Sequence, residues 1–310
     1  MTDEASLPVD YDMPLLLDAC RAVDLPVEVC SWEDPDVDWS RFDAVLLRSP
    51  WNYVERLPDF LAWCERVAGL TDLVNPLPVV RWSLDKHYLV DLASYGVPVV
   101  PTSIAEPGAE PGVALSEFWA LHPAAREVVV KPAVGAYSKD VQRFARSREA
   151  EAAGHIERLF AQGLCVILQP YLESIDRDGE TDLIFFDGVY SHAIRKDALL
   201  LADGTTSVPT FECRTARSAD DDERAVALAG LEAVASHLGL ARPLLYARVD
   251  LVRGHDGKPL LLEMELSEPS LNLPFSDGSA ARYADAIAGR VRGRAGRPPR
   301  PSAAPVPRRR

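Results

Sequence analysis

The sequence predicts a mixed α/β (α+β) protein, and three observations predict it. The first eighty residues alternate helix-like and strand-like apolar patterns, β-branched strands interrupt helical periodicity in the middle, and an acidic hairpin follows near residue 255. With 310 residues, 47% of them hydrophobic, the chain can bury a large core split over two or three subdomains.

Taken in order, residues 15–23 read as a helix, 27–30 and 44–48 as strands, and 58–68 as a helix. An α/β unit of this kind should open on a strand before that helix. The sequence instead starts MTDEASL, so either a short strand precedes it or the sheet has lost an edge. Further on, EVVVKP places Lys131 at the end of a β-branched run, and the loop AVGAYSKD that follows has the Gly, Ser and Lys content of a phosphate cover. A lysine at a strand end is otherwise a solvated edge residue. The run LCVILQPYLESI is another strand, ending in Gln169, Pro170, Tyr171, Leu172 and Glu173, and residues 220–238 form the clearest amphipathic helix. No internal repeat is visible.

The densest chemical signal is ARVDLVRGHDGKPLLLEMELSEPSLN. Gly254 and Gly257 mark a turn between two apolar runs, at 244–252 and 259–266. A hairpin centred there sets Arg248 opposite Glu263 and brings Asp250 and Glu265 onto the same face, while Leu260, Leu262 and Met264 point into a core. Carboxylates within about 7 Å of one another, the span of two strand residues, repel without added positive charge. Two readings stand: a solvated acidic face with a chance salt bridge, or a magnesium site for a nucleotide, since hard oxygen donors suit that ion.

Charge is uneven. The formal net charge is −14, yet residues 290–310 hold eight arginines and no acid, leaving −22 for the rest. So acidic a body argues against nucleic acid as the main partner. The tail GRAGRPPRPSAAPVPRRR has nothing to bury and is expected to be disordered. Cys20, Cys30, Cys64, Cys165 and Cys213 are odd in number and scattered, as reduced cytoplasmic thiols are. No stretch is apolar enough to span a bilayer and no export signal is visible, so neither membrane nor secretion is expected.

In order, Lys86, Lys131, the QPYLE segment, Glu180, Arg195 with Lys196, Asp250 and Glu263-x-Glu265 resemble the ATP-grasp superfamily from about Asn75 to Leu273. The resemblance implies an ATP-grasp fold: an N-terminal Rossmann-like domain (1–82), a lid subdomain (83–168), a C-terminal subdomain with the metal site (169–289) and the tail (290–310). It implies ATP and one or two Mg²⁺ ions as cofactors. Lys86 and Lys131 would hold the phosphates, Gln169, Tyr171 and Leu172 the adenine, and Glu180, or Glu173 in its place, the ribose. Arg195, beside Lys196, would contact the γ-phosphate and the reacting carboxylate, with Lys131 and Arg248 stabilising the transferred group. Asp250, Glu263 and Glu265 match the metal ligands, although the family usually has Asn at the position of Glu265. Substrate contacts fall on Arg48, Trp51 and Asn52 after an early strand, and on Ser267, Glu268 and Ser270 after the metal strand; Trp51 equally suits a core. His87 and His192 flank the phosphate residues and read as structural.

The phrases RSPWNYVERLPDFLAW, NPLPVVRWSLDK, VVKPAVGAYSKD, FFDGVYSHAIRK and LLEMELSEPSL are similar to the branch that closes O-ureido-D-serine to D-cycloserine. That implies an ATP-dependent carboxylate–amine ligase working through an acylphosphate on a small amino-acid-like substrate. Three alternatives remain at this stage: an intermolecular amide or dipeptide ligase, an enzyme stopping at phosphorylation, and a non-catalytic nucleotide-binding module. Oligomeric state stays open, a homo-oligomer included.

Overall fold

The computed structural model of the protein describes residues 1–136, 138–201 and 213–293. In chain order the elements are α1 (Met13–Ala22), β1 (Ala44–Leu46), α2 (Leu57–Leu70), β2 (Asp72–Val74), α3 (Leu77–Ser83), α4 (Tyr88–Ser94), β3 (Ser103–Ala105), α5 (Pro111–Leu121), β4 (Glu127–Pro132), β5 (Gln142–Ala145), α6 (Glu149–Ala161), β6 (Val166–Pro170), α7 (Ser174–Asp178), β7 (Glu180–Phe186), β8 (Val189–Lys196), β9 (Arg214–Arg217), α8 (Asp221–His237), β10 (Tyr246–Arg253), β11 (Pro259–Glu265) and α9 (Ser279–Arg292). They build a parallel pair β1-β2, an antiparallel sheet β3-β6-β4-β5, and an antiparallel sheet β11-β10-β7-β8-β9.

Each sheet has its own apolar cover. Leu115 and Phe118 of α5 and Ile156 and Leu159 of α6 pack on Val128, Val130 and Leu168 of the four-stranded sheet. Tyr88, Leu89 and Leu92 of α4 and Ala227 and Val234 of α8 pack on Leu183, Val249, Leu261 and Met264 of the five-stranded one. Around β1 and β2, Trp63 and Phe60 of α2 join Trp32, Trp39 and Leu47. Helix α8 starts on a capping box in which Asp220 and Glu223 satisfy each other's backbone donors.

Residues 27–30 do not form the expected strand. Pro26 offers no donor there, and the pairing that exists is a single-residue bridge: Thr2 lies between Ser31 and Ser49, with Thr2 N donating to Cys30 O at 3.1 Å and Asp3 N to Ser49 O at 3.2 Å. Met1 to Asp3 thus occupy the place where a strand was expected ahead of α1. The 44–48 strand is also shorter, ending at Leu46.

The expected tail boundary is corrected by α9, which runs through Arg292. Arg290 pairs with Asp187 and donates to Pro243 O at 2.9 Å, and Arg292 donates to Val23 O at 2.8 Å. Residues 294–310 lie outside the described residues. Among the described residues no helix is long and apolar enough to cross a membrane.

Candidate active site

The hairpin β10–β11 builds the floor of the site, in a register two residues from the expected one. Arg248 pairs with Glu265, and Asp250 pairs with Glu263. The five-residue turn after Arg253 shifts the pairing by one, and a β-bulge opposite Asp250 and Leu251 shifts it by one more. A slip of two keeps the face, so the acids stay together. The bulge also redirects the apolar residues: Leu261 and Met264 enter the main core, whereas Leu260 and Leu262 join Val100, Leu172 and Val252 in a small cluster beside the cleft.

Next to this floor lies β7, where Asp182 is the direct cross-strand partner of Asp250, and then β8, where Lys196 pairs with Glu180. The charges interlock. Arg248 grips Asp250 at 2.8 Å through two nitrogens and Glu265 at 2.5 Å. Lys86 Nζ is 2.9 Å from Glu263, and Lys196 Nζ is 2.6 Å from Glu180, 3.7 Å from Asp250 and 3.8 Å from Asp182. Burial works to raise the Glu263 carboxyl, but Lys86 and Lys131 hold it well below the usual carboxylate range. Burial, reinforced by Asp250, pushes Asp182 up. On the four-stranded sheet, Lys131 is buried and makes no hydrogen bond or ion pair among the described residues; burial, with Lys86 and Lys196 nearby, lowers it to about 8.

All of these groups except the buried Asp182 line a cleft of about 620 Å³ between the two larger sheets. Its lining includes the apolar cluster of Val100, Leu172 and Leu262 with Gln169 and Tyr171, and also Trp51, Tyr53, Ser267, Glu268 and Ser270. Trp51 Nε1 donates to Glu268 O at 2.9 Å, and the Glu268 side chain meets the Tyr53 hydroxyl. Burial, then the charge of Glu265, raises Glu268 to about 8. Ser267 and Ser83 hydroxyls lie 2.9 Å apart.

Not every expected residue arrives. Arg195 faces away from the cleft, since neighbours on a strand alternate and Lys196 takes the inner side; its Nε donates to Asp178 O at 2.8 Å and its guanidinium pairs with Asp197. It folds over Gly179, whose φ of 72° and contact with Lys196 O leave no room for a side chain. Glu173 is exposed, facing Arg126 at 3.6 Å, so Glu180 is the acid of that pair in the cleft. Asn52 is held among Trp32, Glu33 and Asp3. Arg48 is buried behind the site, donating to Pro269 O at 3.1 Å beside Asp12, which accepts from the backbone of Leu271, Asn272 and Leu273. The Arg48–Asp12 pair therefore shapes the loop that carries Glu268 and Ser270. His87 and His192 stay out of the cleft, His87 Nδ1 lying 2.5 Å from Asp85 Oδ1 and His192 Nε2 2.9 Å from Leu271 O.

Three residues escaped sequence reasoning. Asp182 had a visible signal, an acid inside the apolar strand ETDLIFF; Tyr53 and Asp12 had none. Carboxylate oxygens of Glu180, Asp182 and Asp250 lie within 4.8 Å of one another, and Asp182 Oδ1 is buried without a hydrogen bond. Hard donors so placed fit a magnesium ion. The expected trio of Asp250, Glu263 and Glu265 is not gathered that closely, because Arg248 and Lys86 draw the two glutamates aside.

Over 292 residues the chain is 60% identical to the cycloserine biosynthesis protein DcsG of Streptomyces lavendulae, covering 94% of this chain and 98% of that one. The chain belongs to the DcsG family of ATP-grasp ligases. The model of the D-cycloserine synthetase DcsG N-terminal domain matches residues 1–75 of this DcsG-family chain. A crystal structure of D-cycloserine synthetase DcsG superposes with a TM-score of 0.91 at 60% identity, over 94% of this chain and 98% of that one. The fold extends to more distant ligases. PsnB, solved with its precursor peptide and AMPPNP, superposes at 0.61 with 18% identity over 92% of this chain and 95% of that one. The D-alanine–D-alanine ligase of Bacillus anthracis gives 0.59 with 16% identity over 91% and 95%. The mixed helix and strand architecture is thus the ATP-grasp fold.

Proposed function

We propose that the protein closes O-ureido-D-serine to D-cycloserine at the expense of ATP, through an acylphosphate. The observation that carries this reading is one cleft lined together by the buried lysines Lys86 and Lys131, the carboxylates Asp250, Glu263 and Glu265, and the Trp51, Tyr53 and Glu268 group. The identity with DcsG supports the choice of substrate.

Bound ATP would supply the transferable phosphoryl group and Mg²⁺ the countercharge for its phosphates. Lys86 and Lys131 hold the phosphates, Gln169, Tyr171 and Leu172 the adenine, and Glu180 the ribose. Asp250 and Asp182 would hold the Mg²⁺, and Glu180, the third carboxylate of that cluster, would turn from it to the ribose. Glu263 and Glu265 would join as metal ligands once Lys86 and Arg248, which now hold them, turn to phosphate and substrate oxygens. Lys196 replaces Arg195 as the basic residue of β8 that faces the transferred group.

The substrate carboxylate sits against Arg248 and Ser270, and Glu268 with Tyr53 receives the α-amino group. Held in this way, the oxyamine nitrogen reaches the activated carbonyl of its own molecule, and proximity favours ring closure. The C–N bond forms as phosphate leaves. Water then removes the carbamoyl group as carbon dioxide and ammonia. The four-stranded sheet, with α5 and α6 packed on it, acts as the lid that keeps water from the acylphosphate.

The test is Mg²⁺-dependent ADP release with O-ureido-D-serine against single amino acids and amino-acid pairs, with products read by mass spectrometry. A cyclised product from that one substrate is expected. Turnover only with a pair would replace the reading by an intermolecular ligase.

A further inference from the structure

Outside the cleft, His87, Glu106 and Cys165 bring one nitrogen, one oxygen and one sulfur donor within 4.8 Å of each other. They come from three separate segments: His87 precedes α4, Glu106 follows β3, and Cys165 precedes β6. His87 Nε2 is 3.1 Å from Glu106 Oε1, and the Cys165 thiol donates to Glu106 Oε2 at 2.6 Å. On the other side of the ring, His87 Nδ1 is 2.5 Å from Asp85 Oδ1. A carboxylate on the far nitrogen is the arrangement that orients metal-binding histidines, because it fixes the tautomer and aims the free nitrogen at the ion.

We propose that His87 Nε2, Glu106 and Cys165 form a zinc-binding site, with Asp85 orienting His87 and the fourth position open to solvent. Sulfur and imidazole donors select zinc over magnesium, which takes oxygens. Donor atoms of a tetrahedral zinc lie about 3.5 Å apart, given bonds of about 2.0–2.3 Å. Glu106 is exposed and His87 half-exposed, so neither side chain is locked in a packed core against turning towards that spacing. Binding replaces the Cys165 thiol proton and any proton on Nε2, which pass to solvent, while His87 keeps its Nδ1 proton and donates it to Asp85. The bound ion ties the four-stranded sheet, through Glu106 and Cys165, to α4 on the five-stranded sheet, one residue from Lys86. This site does not rest on the proposed reaction.

The test uses the full chain, stripped of metal and kept in excess Mg²⁺ so that oxygen-only sites are filled. Cobalt(II) reports thiolate coordination by a charge-transfer band. Wild type is expected to bind one cobalt per chain with that band and to lose it on adding zinc. Cys165→Ser should abolish the band, His87→Gln should weaken binding at least tenfold, and Cys30→Ser should change neither. Zinc should raise the melting temperature of wild type and not of Cys165→Ser. A wild type without the band, or a band that survives in Cys165→Ser, would overturn the proposal, and neither result bears on ADP release.

Discussion

Lys131 carries a buried ammonium that feels the charge of Glu263 but makes no hydrogen bond or ion pair among the described residues, and this one side chain links stability to function. Its folded value is about 8 against an ordinary 10.5. Below pH 8 folded and unfolded chains both hold the proton, so the cost of burying the charge is fully present. Between about 8 and 10.5 the unfolded chain binds more protons, and stability rises with pH. Lys131→Met is therefore expected to raise the melting temperature of the nucleotide-free protein by a few degrees at pH 7, an advantage that shrinks towards pH 10; an unchanging gap in thermal melts across that range would refute the account. The same substitution should cut ADP release at least about a hundredfold, as loss of one electrostatic contact to a transferring group does. Glu268→Gln should act on binding instead, raising KM for the amino-acid substrate about tenfold or more with kcat little changed; steady-state kinetics showing the reverse split would move Glu268 into the chemistry. At this scale the sequence told residue type better than direction. Arg195 and Lys196 are adjacent, and only the pleat decides that Lys196 points inward.

The β10–β11 hairpin shows what pattern alone can carry. The alternation of Asp250, Glu263 and Glu265 with apolar neighbours placed the acids on one face, and a register error of two left that face intact. The bulge was not legible, because LLLEME offers three consecutive leucines and any of them could be the extra residue. The pairing of Asp182 with Asp250 was hidden for a related reason: cross-strand partners are set by sheet order, and β7 joins β10 across sixty residues of chain. Helix α8 illustrates the opposite case, a cap visible in DDDE. Its Glu223 is buried and shared, accepting from Asp220 N at 2.8 Å and Thr181 Oγ1 at 3.0 Å while meeting Arg217 at 3.1 Å and Arg253 at 3.3 Å. It joins α8 to β7, β9 and β10 at once. Glu223→Ala should cost about 3–5 kcal/mol, since the arginines lose a buried partner; a urea midpoint within about 0.5 kcal/mol of wild type, the range of surface substitutions, would contradict that.

Across the whole molecule, two antiparallel sheets face each other over a floor on which like charges are held close and only partly offset by Arg248, Lys86 and Lys196. Such a cleft gains from anything that brings both signs of charge, so a nucleotide and Mg²⁺ together should stabilise the fold more than either alone. At a hundredfold excess over Kd the gain is about 2.7 kcal/mol, read as a rise in melting temperature with AMPPNP and Mg²⁺ that Glu263→Ala removes. The order of Lys86, Lys131, Glu180, Asp250 and Glu263 made the architecture readable from the sequence, since these positions sit on elements whose succession defines the fold. The Arg48–Asp12 support beneath the substrate loop was not readable, because it joins residues more than two hundred positions apart. The most direct test of the central claim uses O-ureido-D-serine labelled with oxygen-18 in its carboxylate. An acylphosphate route delivers one labelled oxygen to the released phosphate for each D-cycloserine formed; cyclised product accompanied by unlabelled phosphate would contradict it.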